Sequence, residues 1–83
     1  MTELPLSGRR VVVVEGNALV SRPLQQMLQR QGCVVAGSAA QLDEAHHLCM
    51  HTAFDVAVLD VNLRGEKVYP LACTLVSRDQ PFV

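Results

Sequence analysis

Four consecutive valines, Val11 to Val14, place the strongest constraint on what this chain can fold into. Valine is branched at Cβ and stiff at its first side-chain torsion, which favours an extended backbone. A strand with one wet face alternates apolar and polar residues, and this run does not alternate. It therefore reads as a strand buried on both faces, the kind found in parallel sheets covered by helices on each side. With 83 residues, 49% of them hydrophobic, one small domain can build such a core without disulfide or metal staples.

The rest of the chain repeats a strand-then-helix order. Val20, Leu24, Met27 and Leu28 recur at helical spacing, with Asn17 as N-cap and Gly32 as C-cap. Pro23 lacks the N–H that a second-turn residue donates, so this helix either kinks there or begins nearer Ser21. Cys33 to Gly37 reads as a second strand, and Leu42, Ala45, Leu48 and Cys49 mark the apolar face of a second helix reaching about His51. Asp55 to Asp60 is a third strand, followed by a third helix carrying Val68, Leu71, Ala72, Leu75 and Val76, with Pro70 tolerated in its first turn. Pro81-Phe82-Val83 opens a fourth strand. Strands alternating with single helices imply right-handed crossovers and an α/β, doubly wound parallel sheet.

Charge and composition exclude several function classes. Seven basic residues nearly balance eight acidic ones and are scattered, which leaves no electrostatic footprint for direct nucleic-acid or membrane binding. No apolar run approaches the roughly 20 residues needed to span a bilayer, and the N-terminus lacks the basic-then-apolar order of a signal peptide. The expected location is cytoplasmic. Cys33, Cys49 and Cys73 are odd in number and never in a C-x-x-C spacing, so they read as reduced, mostly buried packing residues.

In open α/β sheets ligands bind beyond the carboxyl ends of the strands, where strand order reverses. The residues just past the first and third strands are Glu15-Gly16-Asn17 and Asp60-Val61-Asn62. In a flavodoxin-like order, 2-1-3-4, those two strands are neighbours, and the carboxylates of Glu15 and Asp60 face one crevice. An aspartate at a strand end is by itself often a turn former or a helix cap. The partner Glu15 and the context DVNLRG favour a site instead.

The stretch from Val11 to Asn17, together with Phe54 to Gly65 (FDVAVLDVNLRG), resembles the first strand, acidic turn and phosphorylation strand of a response-regulator receiver domain. The resemblance runs from Arg9 to Val83, with residues 1–8 as a leader and residues 9–83 as the domain. It implies that Asp60 is the nucleophile accepting a phosphoryl group from a sensor histidine kinase or a histidine phosphotransfer protein, giving an aspartyl phosphate. It implies a Mg2+ ion held by Asp60, by Glu15 through water, and by the backbone carbonyl of Asn62. Receivers carry a second acid after the first strand as the direct metal ligand; here Gly16 takes that place, so weak Mg2+ binding is expected. The family's later hydroxyl and lysine positions, and its last helix–strand–helix, lie past Val83, which suggests a fragment or a domain completed by another chain. An open sheet edge would also permit a homodimer or a swapped assembly.

Two alternatives remain at this level. One is a pseudo-receiver that works as a phosphorylation-independent interaction module because Gly16 removes a ligand. The other is an enzyme on the same architecture, a nucleotide-binding oxidoreductase or an aspartate phosphatase. The first turn, Glu-Gly-Asn, is neither a G-x-G-x-x-G nor a Walker A loop, and no D-x-D follows the first strand, so a non-enzymatic signalling domain is expected.

Other residues carry plainer readings. His47 and His51, at i and i+4, share a helix face and resemble a chelating pair, but without an accompanying acidic motif they and His46 read as a polar exposed face. Asp43 and Glu44 favour the helix N-terminus, while Arg22, Arg30, Arg64, Lys67 and Arg78 read as solvated. Tyr69 reads as a partly buried packing residue and Gly65 as a turn former after Asn62-Leu63.

Overall fold

The structure, a computed structural model, describes residues 7–83. Its elements in chain order are β1 (Arg10–Val14), α1 (Ala18–Arg30), β2 (Val34–Ala39), α2 (Leu42–His51), β3 (Val56–Leu59), β4 (Asn62–Leu63), β5 (Glu66–Lys67) and α3 (Tyr69–Ser77). β1 is the centre of a three-stranded sheet of order β2-β1-β3, parallel on both sides. The fourth strand begins where the sequence places it. Phe82 forms a parallel bridge to Ala57, and the Leu59 N–H donates to the Val83 carbonyl at 2.9 Å. The leader proposed for residues 1–8 falls largely outside the described residues, although the Gly8 N–H already donates to the Gly32 carbonyl at 2.8 Å.

The valine run divides its side chains between two cores. Val12 and Val14 join Ala39, Ala45, Cys49, Ala57, Leu63, Val68, Leu71 and Leu75 under α2 and α3. Val11 and Val13 face the other way, with Cys33, Val35, Val56 and Val58 under Leu24 and Leu28 of α1. Because successive strand residues point to opposite faces, both faces of β1 are dry only if every position is apolar. Each fully buried valine or leucine contributes about 1.5–3 kcal/mol.

α1 starts at Ala18, not near Ser21. The Asn17 side chain accepts the Leu19 N–H at 2.9 Å and caps the helix, which then continues through Pro23. The proline removes the hydrogen bond to the Leu19 carbonyl, and Leu19 is 85% exposed, so water can take the orphaned acceptor. At the other end Gln31 is the C-cap and Gly32 follows it with φ +90. The Gly32 N–H donates to the Gln29 carbonyl and the Cys33 N–H to the Leu28 carbonyl, both at 3.0 Å, the pair of bonds of a Schellman motif. Val20 and Met27 stay exposed, because the sheet strip beneath α1 is narrow enough to be met by Leu24 and Leu28.

β2 starts one residue later than the sequence suggests and runs on to Ala39. Its register with β1 shifts between Val11 and Val12, whose partners are Val35 and Gly37, so Ala36 is an extra residue in the ladder. A Cβ on Gly37 would stand 2.7 Å from the Leu48 Cδ1, so glycine here lets α2 lie close against the strand.

One packing expectation, for Tyr69, is corrected, while the cysteines are mostly buried as expected. Tyr69 is 60% exposed instead of partly buried, since the buried face of α3 is filled by Leu71 and Leu75. Cys33 and Cys49 are buried but Cys73 is exposed. Burial pushes the Cys49 thiol above its ordinary pKa, which leaves even less of the reactive thiolate. Mild alkylation of the folded protein should therefore modify Cys73 alone, with Cys33 and Cys49 reacting only after denaturant is added. Peptide mass mapping of each alkylated sample checks this.

Candidate functional site

The pairing of β1 with β3 brings the candidate residues together. Their register runs from Val11 opposite Val56 to Val14 opposite Leu59, and it is fixed beyond both ends. At the start, Asp55 clasps Arg10: its Oδ2 accepts the Arg10 N–H at 2.7 Å, and its own N–H donates to the Arg10 carbonyl at 2.7 Å. At the finish, the Asp60 N–H donates to the Val14 carbonyl at 2.9 Å. Glu15 is held on its other side by its N–H, which donates to the Ala39 carbonyl at 3.0 Å. Glu15 and Asp60 thus stand at neighbouring strand ends, both half-buried.

Each carboxylate has a local donor. The Asn17 N–H donates to Glu15 Oε2 at 3.1 Å, and the Asn62 N–H reaches Asp60 Oδ1 at a long 3.4 Å. The weaker second contact leaves the Asp60 oxygens largely available to an incoming group. Asn62 is exposed, and its side-chain Oδ1 accepts the Gly65 N–H at 2.9 Å within the turn.

The segment after Asp60, read from sequence as a loop, is a small hairpin. β4 and β5 pair Leu63 with Glu66 around Arg64-Gly65, which have φ of 51 and 92. Two successive positive φ values are the requirement of a type I′ turn, so Gly65 does serve the turn expected of it. The hairpin hangs from the core by Leu63, which is fully buried, and by the Val68 N–H donating to the Val61 carbonyl at 2.9 Å.

Arg64 is exposed, as expected of a solvated residue, and its side chain also crosses to the first strand. Its Nε donates to the Gly16 carbonyl at 3.1 Å. A Cβ placed on Gly16 would lie 3.2 Å from the Arg64 Cγ and 3.5 Å from the Ala40 carbonyl oxygen. Beyond the turn, Arg64 and Glu15 share a cleft of about 420 Å3 with Ser21, Arg22, Ser38 and Glu44 on the β2 side. Asp60 is not part of that cleft. The N-terminus of α2 closes its floor, where Glu44 Oε1 accepts the Ala40 N–H at 2.9 Å.

Two carboxylates and one carbonyl, with water completing the shell, are the kind of oxygen donors that a Mg2+ ion keeping most of its hydration would take. They fall short of a protein cage, and among the described residues no three His, Cys, Asp or Glu side chains cluster around a common point. His47 and His51 are exposed with ring centroids 4.4 Å apart on the surface of α2.

Fold, strand order and strand-end site together define a receiver: the chain belongs to the response-regulator receiver family of two-component signalling. Among solved structures it is similar to SdrG from Sphingomonas melonis Fr1, with 31% identity, a TM-score of 0.82 and coverage of 95% of this chain and 67% of SdrG. The receiver domain of the PhyR response regulator from Erythrobacter litoralis shares the fold at 20% identity and a TM-score of 0.83, over 94% of this chain and 62% of that one. The signal receiver domain of a modulated diguanylate cyclase from Desulfovibrio desulfuricans G20 matches at 25% identity and a TM-score of 0.79, over 90% and 62%. The chain therefore spans about two thirds of the length of these relatives. No family model and no curated protein sequence matches it. No helix among the described residues is long and apolar enough to cross a membrane.

Gly65→Ala should cost about 1–2 kcal/mol, because an L side chain at φ 92 is strained while the site around it offers open space. Urea denaturation checks the size of the loss. Added space-filling clashes would make it larger than backbone strain alone accounts for.

Proposed function

We propose that this domain accepts a phosphoryl group on Asp60 and, by doing so, changes a protein interaction. One observation carries the reading: Asp60 and Glu15 occupy adjacent strand ends, fixed by the Asp60 N–H bond to the Val14 carbonyl. In the transfer, an Asp60 carboxylate oxygen attacks phosphorus, the bond from phosphorus to the donor nitrogen or oxygen breaks, and the leaving group takes up a proton. The donor is a sensor histidine kinase or a histidine phosphotransfer protein, and the setting is the cytoplasm. Bound Mg2+ would offset the repulsion between carboxylate and phosphoryl oxygens. It would be held weakly, by Asp60, by Glu15 through water and by the Asn62 carbonyl, since Gly16 offers no side-chain oxygen. Apart from self-phosphorylation and hydrolysis of its own acyl phosphate, the domain is a signalling module and not an enzyme.

A second reading has one observation in its favour. Arg64 covers Gly16, where a further acidic ligand would otherwise stand, which suits a pseudo-receiver that binds its partner without phosphorylation. Acetyl phosphate with Mg2+ distinguishes the two. Intact-mass measurement should show a single phosphoryl adduct on the folded protein, lost in Asp60→Asn. A folded wild type that gains no adduct would favour the pseudo-receiver.

A further inference from the structure

Gly16 and Arg64 are 48 positions apart in sequence and meet directly at the crevice. The Arg64 backbone has φ 51, an uncommon conformation for a non-glycine residue, and it lies in a tight hairpin anchored by the buried Leu63. From there the side chain runs over Gly16, from the β3 side of the site to the cleft on the β2 side. Glycine leaves this contact unhindered. A Cβ at position 16 would lie 3.2 Å from the Arg64 Cγ, so that the exposed side chain would have to give by a few tenths of an ångström, and at an ordinary contact distance of 3.4 Å from the Arg64 backbone nitrogen.

We propose that Arg64 is a positioning residue that restrains divalent-cation binding at the Asp60 site, and that Gly16 and Arg64 work as one coupled unit. The proposal rests on Asp60 and Glu15 forming the cation site of the reading above. Two physical effects act together. The guanidinium is a positive charge tied to the Gly16 carbonyl and sharing a cleft with Glu15, and it would repel a divalent cation held through that carboxylate, an effect that solvent exposure of Arg64 screens but does not remove. It also covers the place from which a carboxylate at position 16 would reach the ion. An aspartate introduced there would meet Arg64 first and pair with it, since a guanidinium and a carboxylate match in geometry as well as charge. Glycine at 16 omits a ligand and leaves its place open to the Arg64 side chain.

A double-mutant cycle read by direct cation binding tests this. Mg2+ is titrated into the wild-type chain, Gly16→Asp, Arg64→Gln and the double variant, following backbone amide shifts at Glu15, Asp60 and Asn62, with spectral dispersion confirming that each variant is folded. Gly16→Asp alone should stay within about threefold of wild type, while Arg64→Gln alone should tighten binding severalfold. The double variant should exceed the product of the single effects by about tenfold, the coupling expected of residues in contact. Lys67→Gln, which removes an exposed charge from the same hairpin, should leave affinity unchanged. Purely additive effects, or an equal gain from Lys67→Gln, would overturn the proposal; so would an unchanged affinity in Arg64→Gln, a variant that leaves the glycine in place. Cation titration is independent of phosphoryl transfer. A coupled cycle in a protein that acetyl phosphate cannot modify would defeat the receiver chemistry alone, and an additive cycle in a protein it does modify would defeat the Arg64 role alone.

Discussion

The parallel pairing of β1 with β3 is the constraint on which the rest of the structure depends. It is fixed at one end by Asp55 around Arg10 and at the other by the Asp60 N–H on the Val14 carbonyl. Slipping the register by one residue would send Val56 and Val58 to the wrong face, out of the α1 core and into the one that α2 and α3 cover. The same slip would carry Asp60 away from Glu15. Core packing and site geometry are thus one requirement, and the hydrophobic effect that orders the valines also sets the distance between two acids.

The two strand-end carboxylates differ in their local hydrogen-bond partners. Glu15 accepts the Asn17 N–H at the start of α1, where the helix dipole favours negative charge. Asp60 has a weaker backbone donor and keeps solvent contact. Arg64 adds a positive charge to the same turn through its bond to the Gly16 carbonyl.

The sheet and the strand-end acids were legible in the sequence because they follow from local rules. A run such as Val11 to Val14 has few alternatives to a doubly buried strand, and strand ends at Val14 and Leu59 place Glu15 and Asp60 without further information. Asn17 and Gly32 were legible for the same reason, since cap chemistry is local. Pro23 misled on the start of α1, because propensity penalises a proline without knowing that the carbonyl it orphans faces water. Tyr69 was misjudged because periodicity marks a helix face but not how far the neighbouring surface extends. The hairpin at Asn62 to Lys67 had only Gly65 as its signal, two-residue strands being too short to show alternation. The reach of Arg64 to Gly16 had none, as an exposed arginine 48 residues away reads as any other solvated charge.

The proposed chemistry puts a phosphoryl group on Asp60, in the crevice between the ends of β1 and β3. Beryllofluoride, a phosphoryl mimic that binds carboxylates, tests it most directly when added with Mg2+ to isotope-labelled protein and followed by amide spectra. Shifts should concentrate at Glu15, Gly16 and Asp60 to Asn62 and vanish in Asp60→Asn. Shifts centred elsewhere on the domain, or identical shifts in the variant, would contradict it.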